Sequence, residues 1–261
     1  MAQNDIKNGS QNPVWFVGAG PGDPELITVK GQKLLAAADL VVYAGSLVPE
    51  ALLVWTRPDT EILNSAGMHL DEIVSAMETG FREGRKVVRL HTGDPSLYGA
   101  VFEQMSALRQ RGIPYRVVPG VTAAFAAAAS LGIEYTLPEV TQTLILTRME
   151  GRTPVPQTEN LEALAAHRAS MAIYLSIHLV GKVGEILSNA YGPQAPCVVA
   201  YRISQPEERM LVTTVQELPK TVKENQIKRQ ALIIVGKILE AGAQGPRSKL
   251  YDETFSHGFR K

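Results

Sequence analysis

The chain holds a single cysteine, Cys197, among 261 residues. One thiol cannot close an internal disulfide, and no cluster of Cys and His stands at the spacing of a zinc site. The five histidines, His69, His91, His167, His178 and His257, share no ligand spacing either, so no metal is expected. Net charge is also lacking, because Lys+Arg and Asp+Glu balance at 26 each. A nucleic-acid-binding domain normally carries a basic excess, and no nucleic acid is expected as a partner. A small polyanion is still compatible, since a neutral total can hide a positively lined cleft. Long apolar runs are missing as well. The most apolar window, residues 121–133, is Ala-rich, broken by Ser130 and Gly132, and far short of the about 20 residues that cross a bilayer. Residues 1–12 are polar and lack the apolar stretch of a secretory signal. The expectation is a cytoplasmic protein without a membrane anchor.

What is present is an ordinary globular composition, 45% hydrophobic and 20% charged. The length allows one large or two modest domains. The first half alternates strand and helix patterns. Short apolar strands are expected at residues 14–18, 40–43, 61–63, 86–91 and 115–118. Between them, Thr28 can cap a helix through Leu34, Leu35 and Ala38. Leu70, Ile73, Val74 and Met77 repeat at helical spacing, with Gly84 beyond. Leu97, Val101, Phe102, Met105 and Leu108 mark a third helix. Such alternation implies a mainly parallel sheet covered on both faces. Beyond Pro119, a small-residue helix at 121–130 leads to strands at 143–146, 171–175, 197–201, 210–213 and 231–235. Helices are expected at 161–166, 180–189 and about 219–225. The later strands have short or irregular connections, so the second sheet should be mixed. The domain reading is an extended or disordered start (1–13), an N-terminal α/β domain (14–118), a C-terminal α/β domain (119–241) and an extended tail (242–261).

After the first strand runs Val17-Gly18-Ala19-Gly20-Pro21-Gly22-Asp23-Pro24. A dinucleotide fingerprint would need a third glycine at the helix start, where backbone N–H groups face a pyrophosphate. Asp23 stands there instead and would repel phosphate. The second strand should also end in Asp or Glu to hold a ribose, but it ends in Ala44-Gly45-Ser46. The glycine loop does not read as an oxidoreductase motif.

The loop belongs to a longer string, Val17 through Gly31, followed by Leu35 and Ala38-Asp39, which resembles the N-terminal signature of the tetrapyrrole methylases. Three further pieces occur in that family's order: Val88-Arg-Leu-His-Thr-Gly-Asp-Pro95 with Tyr98-Gly99, Val118-Pro-Gly-Val-Thr-Ala-Ala124, and Ala231-Leu-Ile-Ile-Val-Gly236. Together they cover roughly residues 14 to 240. In the middle, Tyr135-Thr-Leu-Pro, Gln142-Thr-Leu-Ile-Leu-Thr-Arg148 and Glu150-Gly-Arg-Thr-Pro-Val-Pro156 resemble the branch that methylates C11 of precorrin-4, on the route to cobalamin. The tail, Arg247-Ser-Lys-Leu-Tyr with Thr254-Phe-Ser-His-Gly-Phe-Arg260, resembles the cobalt-dependent, anaerobic members of that branch.

The resemblance implies two α/β domains with the active-site cleft between them, and a homodimer. It also implies S-adenosylmethionine as cofactor, leaving as S-adenosylhomocysteine. By motif, Pro21, Thr92, Gly93, Asp94, Leu97, Tyr98, Thr122, Ala123, Leu175 and Ala231 would contact it, and Arg202 and Ile203 would follow at a further backbone position. For Thr92–Asp94 the residues also allow a plain strand-to-helix turn, with Ser96 as cap. A ring bearing many carboxylates should meet arginines able to pair in two-pronged fashion, and Arg89, Arg148 and Arg152 are the candidates. The competing role for Arg148 and Arg152 is to pin their loop to Glu134, Glu139 or Glu150. Uroporphyrinogen methylases carry an Asp just after the second strand and a Lys in the next loop. Here Gly45 and Asn64 stand there, and no catalytic residue is assigned. The implied reaction is methyl transfer to C11 of precorrin-4 or its cobalt form. The alternatives are another tetrapyrrole or diphthine-type methylase of the same fold, or a non-catalytic binding protein for corrin intermediates.

Overall fold

The structure is a computed structural model and describes residues 12–240, 255, 256 and 258. The expected N-terminal extension to residue 11 and nearly all of the tail, with its cobalt-type motif, lie outside the described residues. The chain divides into two compact units, Met1–Ala126 and Ala127–Lys261.

In the first unit β1 (Val14–Gly18), β2 (Leu40–Tyr43), β3 (Glu61–Asn64), β4 (Val87–His91) and β5 (Tyr115–Val118) form one sheet in the order β3-β2-β4-β1-β5. Every pairing is parallel, as strand–helix alternation requires. Side chains alternate between faces with the strand period of two. Val14, Phe16, Leu40, Val42 and Val87 pack with Ile73, Val74 and Met77 of α2 (Leu70–Arg82) and Leu108 of α3 (Val101–Gln110). Val17, Val41, Val88 and Leu90 pack on the other face with Leu35 of α1 (Val29–Ala37) and Leu52 of a 3-10 segment, Glu50–Trp55. Thr28 caps α1 as expected, its hydroxyl accepting from the Gly31 N–H at 3.1 Å.

One expectation for this unit fails. The helix pattern starting at Leu97 begins only at Val101, because Tyr98 and Ala100 take left-handed backbone at φ 53° and 47°. Ser96 therefore caps no helix. Its N–H and hydroxyl donate to the Asp94 carboxylate.

The units part inside α4 (Ala123–Leu131). Gly120, which follows β5, lies against Gly18 and Gly93 of the first unit. In the second unit β6 (Leu144–Arg148), β7 (Ser170–Tyr174), β8 (Pro196–Tyr201), β9 (Arg209–Thr214) and β10 (Ala231–Val235) are ordered β6-β7-β10-β8-β9. Only β6 and β7 pair in parallel, so this sheet is mixed. Met171, Ile173, Cys197, Val199, Ile233 and Val235 face a core shared with α5 (Leu161–Ala165), α6 (Val180–Tyr191) and α7 (Leu218–Glu224). Cys197 is fully buried there, and burial pushes its thiol up to about 12, which keeps it an unreactive core residue. No described helix is long and apolar enough to cross a membrane.

Candidate functional site

A parallel sheet collects the carboxyl ends of its strands along one edge, where open α/β sheets bind their ligands. In the first unit Gly18 of β1 pairs with His91 of β4, and Val17 with Val118 of β5. The three loops leaving these strands meet in bare backbone. The Gly93 N–H donates to the Gly20 carbonyl at 2.7 Å, and the Gly20 N–H returns to Gly93 at 3.3 Å. A Cβ on Gly18 would stand 2.6 Å from both the Gly120 nitrogen and the Gly93 oxygen, so only glycine fits. Gly93 itself takes φ 59°, and a Cβ there would lie 3.8 Å from the Thr122 Cα and 3.9 Å from the Val121 oxygen. The space between the β4 loop and the start of α4 would thus admit a Cβ, and it is the left-handed backbone at Gly93 that favours glycine there. Pro21 and Thr122 are buried at this edge, Thr92, Asp94, Leu97 and Ala123 are half-buried, and Tyr98 is 41% exposed.

Asp94 clasps these loops together. One carboxylate oxygen accepts from the Ser96 N–H at 2.8 Å and from the Ser96 hydroxyl, and the other from the Gly120 N–H at 2.9 Å. Burial works to raise its pKa, but the bonds from Ser96 and Gly120 outweigh burial and hold the carboxyl below the usual carboxylate range. Its carboxylate therefore serves the protein's own backbone, a role the turn chemistry alone did not reveal.

The other charged residue expected in this unit, Arg89, lies inside it. The side chain is 3% exposed, with Nε donating to Gln104 at 2.9 Å and an Nη to the Val42 carbonyl at 3.1 Å. Burial lowers its pKa to about 10. His91, two residues on, is stacked on Phe16, and burial followed by repulsion from Arg89 lowers it to about 3, so it is neutral at physiological pH. The sequence expectation that Arg89 meets a substrate carboxylate finds no surface position for it, because β4 turns that side chain toward α3. A Cβ on Gly45 would run into the Asn64 side chain, so these two positions are neighbours in space.

In the second unit the register does the gathering. Arg148 of β6 pairs with Tyr174 of β7, and Ala231 of β10 pairs with Tyr201 of β8. Leu175 directly follows the last residue of β7, and Ala231 opens the antiparallel β10, so both stand at the same end of the sheet. Arg148, Leu175, Ala231 and Arg202 therefore share one sheet end. Leu175 and Arg202 are in left-handed backbone at φ 54° and 45°, a strain that concentrates at working sites. Arg202 is tied to Gln230, backbone N–H to carbonyl at 2.9 Å and Nε to Oε1 at 2.9 Å, which holds the chain entering Ala231.

At this end a pocket of about 420 Å³ is lined by Arg148, Arg152, Thr153 and Leu175, with Met149, Gly151 and His178 completing its wall. Arg148 pins the loop, as one of the two sequence readings allowed, but through carbonyls rather than glutamates. Its guanidinium donates to Thr153 at 3.1 Å, to Pro154 at 2.8 Å and to Met149 at 3.5 Å. Arg152 is exposed and has no hydrogen-bond or ionic partner among the described residues. His178, which no motif singled out, is exposed in the same wall. Among the described residues no group of His, Cys, Asp and Glu is placed to hold a metal ion.

Comparison with known proteins bears on what these two clusters serve. The family model of the tetrapyrrole (corrin/porphyrin) methylases matches residues 13–219. A cobalt-precorrin-4 C(11)-methyltransferase of Priestia megaterium is 49% identical over 95% of this chain and 97% of its own. A precorrin-4 C(11)-methyltransferase of Pseudomonas aeruginosa is 47% identical over 95% and 98%. Among solved structures, a cobalt precorrin-4 methyltransferase, described as a cobalamin biosynthetic enzyme, superposes with a TM-score of 0.86 at 48% identity, covering 91% of this chain and 100% of its own. A uroporphyrin-III C-methyl transferase of Thermus thermophilus, complexed with S-adenyl homocysteine, reaches 0.73 at 28% identity, over 88% and 99%. Motifs, two-sheet architecture and likeness along nearly the whole length agree, and the chain belongs to the tetrapyrrole methylase family.

Proposed function

We propose that this enzyme transfers a methyl group from S-adenosylmethionine to C11 of cobalt-precorrin-4, giving cobalt-precorrin-5. The observation that carries this reading is 49% identity, across 95% of the chain, to a relative named for that reaction. The bare-backbone edge of the first unit fits the cofactor. Gly18 and Gly120 let backbone approach where side chains would block it, Gly93 takes a left-handed turn between them, and α4 opens with small residues beside Thr122. The residues assigned to the cofactor, on the family's motifs, are Pro21, Thr92, Gly93, Asp94, Leu97, Tyr98, Thr122, Ala123, Leu175 and Ala231. When bound, S-adenosylmethionine supplies a methyl group already activated by its positive sulfonium.

The chain's own task is then mainly placement, which lowers a barrier by about 7–11 kcal/mol in favourable cases. The proposed division of labour is that Asp94 sets the loops against which the cofactor rests, while Arg148 holds the 149–154 loop in shape. Arg152 offers its exposed guanidinium to a substrate carboxylate, and Arg89 stabilises the sheet from within. No dedicated nucleophile is needed for a displacement of this kind, and none is assigned. The enzyme is read as a cytoplasmic homodimer, on the family pattern and on the prevalence of two-fold pairs.

Incubation with methyl-labelled S-adenosylmethionine and either cobalt-precorrin-4 or metal-free precorrin-4 tests the reading. Label at C11, found by NMR and formed faster from the cobalt substrate, is expected. Label at another carbon, or none from either compound, refutes it.

A further inference from the structure

We propose that His178 is a substrate-contact and specificity residue, gripping a tetrapyrrole carboxylate jointly with Arg152; the proposal rests on the methyl-transfer reading above. Three arginine and histidine side chains line the pocket of the second unit, and they are not equivalent. Arg148 has committed its guanidinium to the carbonyls of Met149, Thr153 and Pro154. That leaves Arg152 and His178 as the donors without a partner among the described residues.

Their mutual placement is built rather than incidental. His178 lies in a 3-10 segment, Ile177–Leu179, that follows β7. Ile177 anchors the segment in the core at 5% exposure, and the Leu179 N–H closes the turn on the Ser176 carbonyl at 2.9 Å. Ser176, 1% exposed, joins that turn to the arginine loop. Its hydroxyl accepts from the Met149 N–H at 2.8 Å and donates to the Tyr174 carbonyl at 2.7 Å. The loop that carries Arg152 and the turn that carries His178 are therefore held in a fixed relation.

Gly151 completes the arrangement. A Cβ there would stand 3.7 Å from the His178 Nε2, so the imidazole edge lies beside the backbone next to Arg152. An imidazole presents at least one N–H donor in either protonation state, and a guanidinium presents five. Two donors of different reach, converging on one pocket, fit a carboxylate whose position decides how the ring is turned. They do not fit an apolar ligand.

The test is methyl-transfer kinetics with cobalt-precorrin-4 on the intact chain, comparing the parent with His178→Ala, His178→Gln, Arg152→Ala and the double alanine variant. His178→Ala is expected to raise KM for the tetrapyrrole about tenfold, the usual weight of one hydrogen bond to a charged group. KM for S-adenosylmethionine and the melting temperature should stay at parental values, because the imidazole is exposed. His178→Gln, which keeps an N–H donor, should recover much of the loss. The double variant should lose less than the product of the single losses, as groups sharing one partner do. An unchanged tetrapyrrole KM in His178→Ala overturns the proposal while leaving the methyl-transfer reading intact. So does a rise matched by an equal rise for S-adenosylmethionine or by a lowered melting point. A parent that makes no C11-methylated product overturns the functional reading and this proposal with it.

Discussion

Removing the Asp94 carboxylate should loosen the cofactor edge by an amount that the structure lets one work out. Three donors converge on this side chain, but two of them belong to Ser96, two residues away, and water can replace them. The third, the Gly120 N–H at 2.9 Å, spans the gap between the β4 and β5 loops and is part-buried. A hydrogen bond to a charged group contributes about 1.5–3 kcal/mol, so Asp94→Ala should destabilise the first unit by about 2 kcal/mol. Asp94→Asn keeps an oxygen acceptor without the charge and should retain roughly half. Trp15 and Trp55 are the chain's two tryptophans, and both lie in the first unit, so urea unfolding followed by their fluorescence reads that unit alone.

The same residue makes the gap depend on pH. The folded Asp94 carboxyl lies below its ordinary value of 3.8, so its stabilisation is complete above that value. It is lost as pH falls through the lowered folded value. The difference between parent and Asp94→Asn should therefore be constant from pH 7 to about pH 5 and shrink in stronger acid. Affinity for S-adenosylhomocysteine, measured by calorimetry, should fall with Asp94→Ala by about tenfold, since binding must then reorder the loops. Unfolding within about 0.5 kcal/mol of the parent, the range of an ordinary surface change, together with unchanged affinity, would refute the clasp.

S-adenosylhomocysteine should raise the melting temperature of the parent, as any ligand that prefers the folded state does, and NAD(H) should not. The reverse pattern in a thermal-shift assay contradicts the cofactor assignment. Thr122→Arg, which sets a bulky charge at the start of α4, should abolish S-adenosylhomocysteine binding by calorimetry while circular dichroism stays parental; retained affinity removes Thr122 from the site. Arg148→Ala should lower the melting temperature, because three carbonyls lose their donor. Arg152→Ala should leave the melting temperature unchanged and weaken tetrapyrrole binding by roughly one order of magnitude. Equal effects of the two arginines on both measurements would contradict their separation. Light scattering at working concentration should return a dimer mass, and a monomer would contradict the homodimer.

Much of this molecule could be read from local pattern alone. Strand and helix types follow from residue spacing, because a side chain's face depends only on its place in a period of two or 3.6. The five parallel strands of the first sheet and the mixed second sheet lay within reach for that reason. So did the Thr28 cap, which needs only neighbours in sequence. The cofactor and reaction were legible through ordered motifs rather than through any one residue's chemistry.

What tertiary structure alone decided concerns residues whose partners are distant in the chain. Gly18, Gly93 and Gly120 form one junction only because parallel strands bring three loops to the same edge. Arg89 carries the same side chain as Arg152, yet β4 buries it against Gln104 while the other is exposed on a loop, with no partner among the described residues. Glutamates lie within reach of Arg148 in the sequence, but the fold of its own loop supplies carbonyls instead. His178 bore no sequence signal at all, since an exposed imidazole gains meaning only from the pocket around it. Sequence periodicity reports which way a side chain leaves the backbone. What that side chain meets is set by the packing of elements far apart in the chain, and that packing decides which charges serve the fold and which are left to serve a ligand.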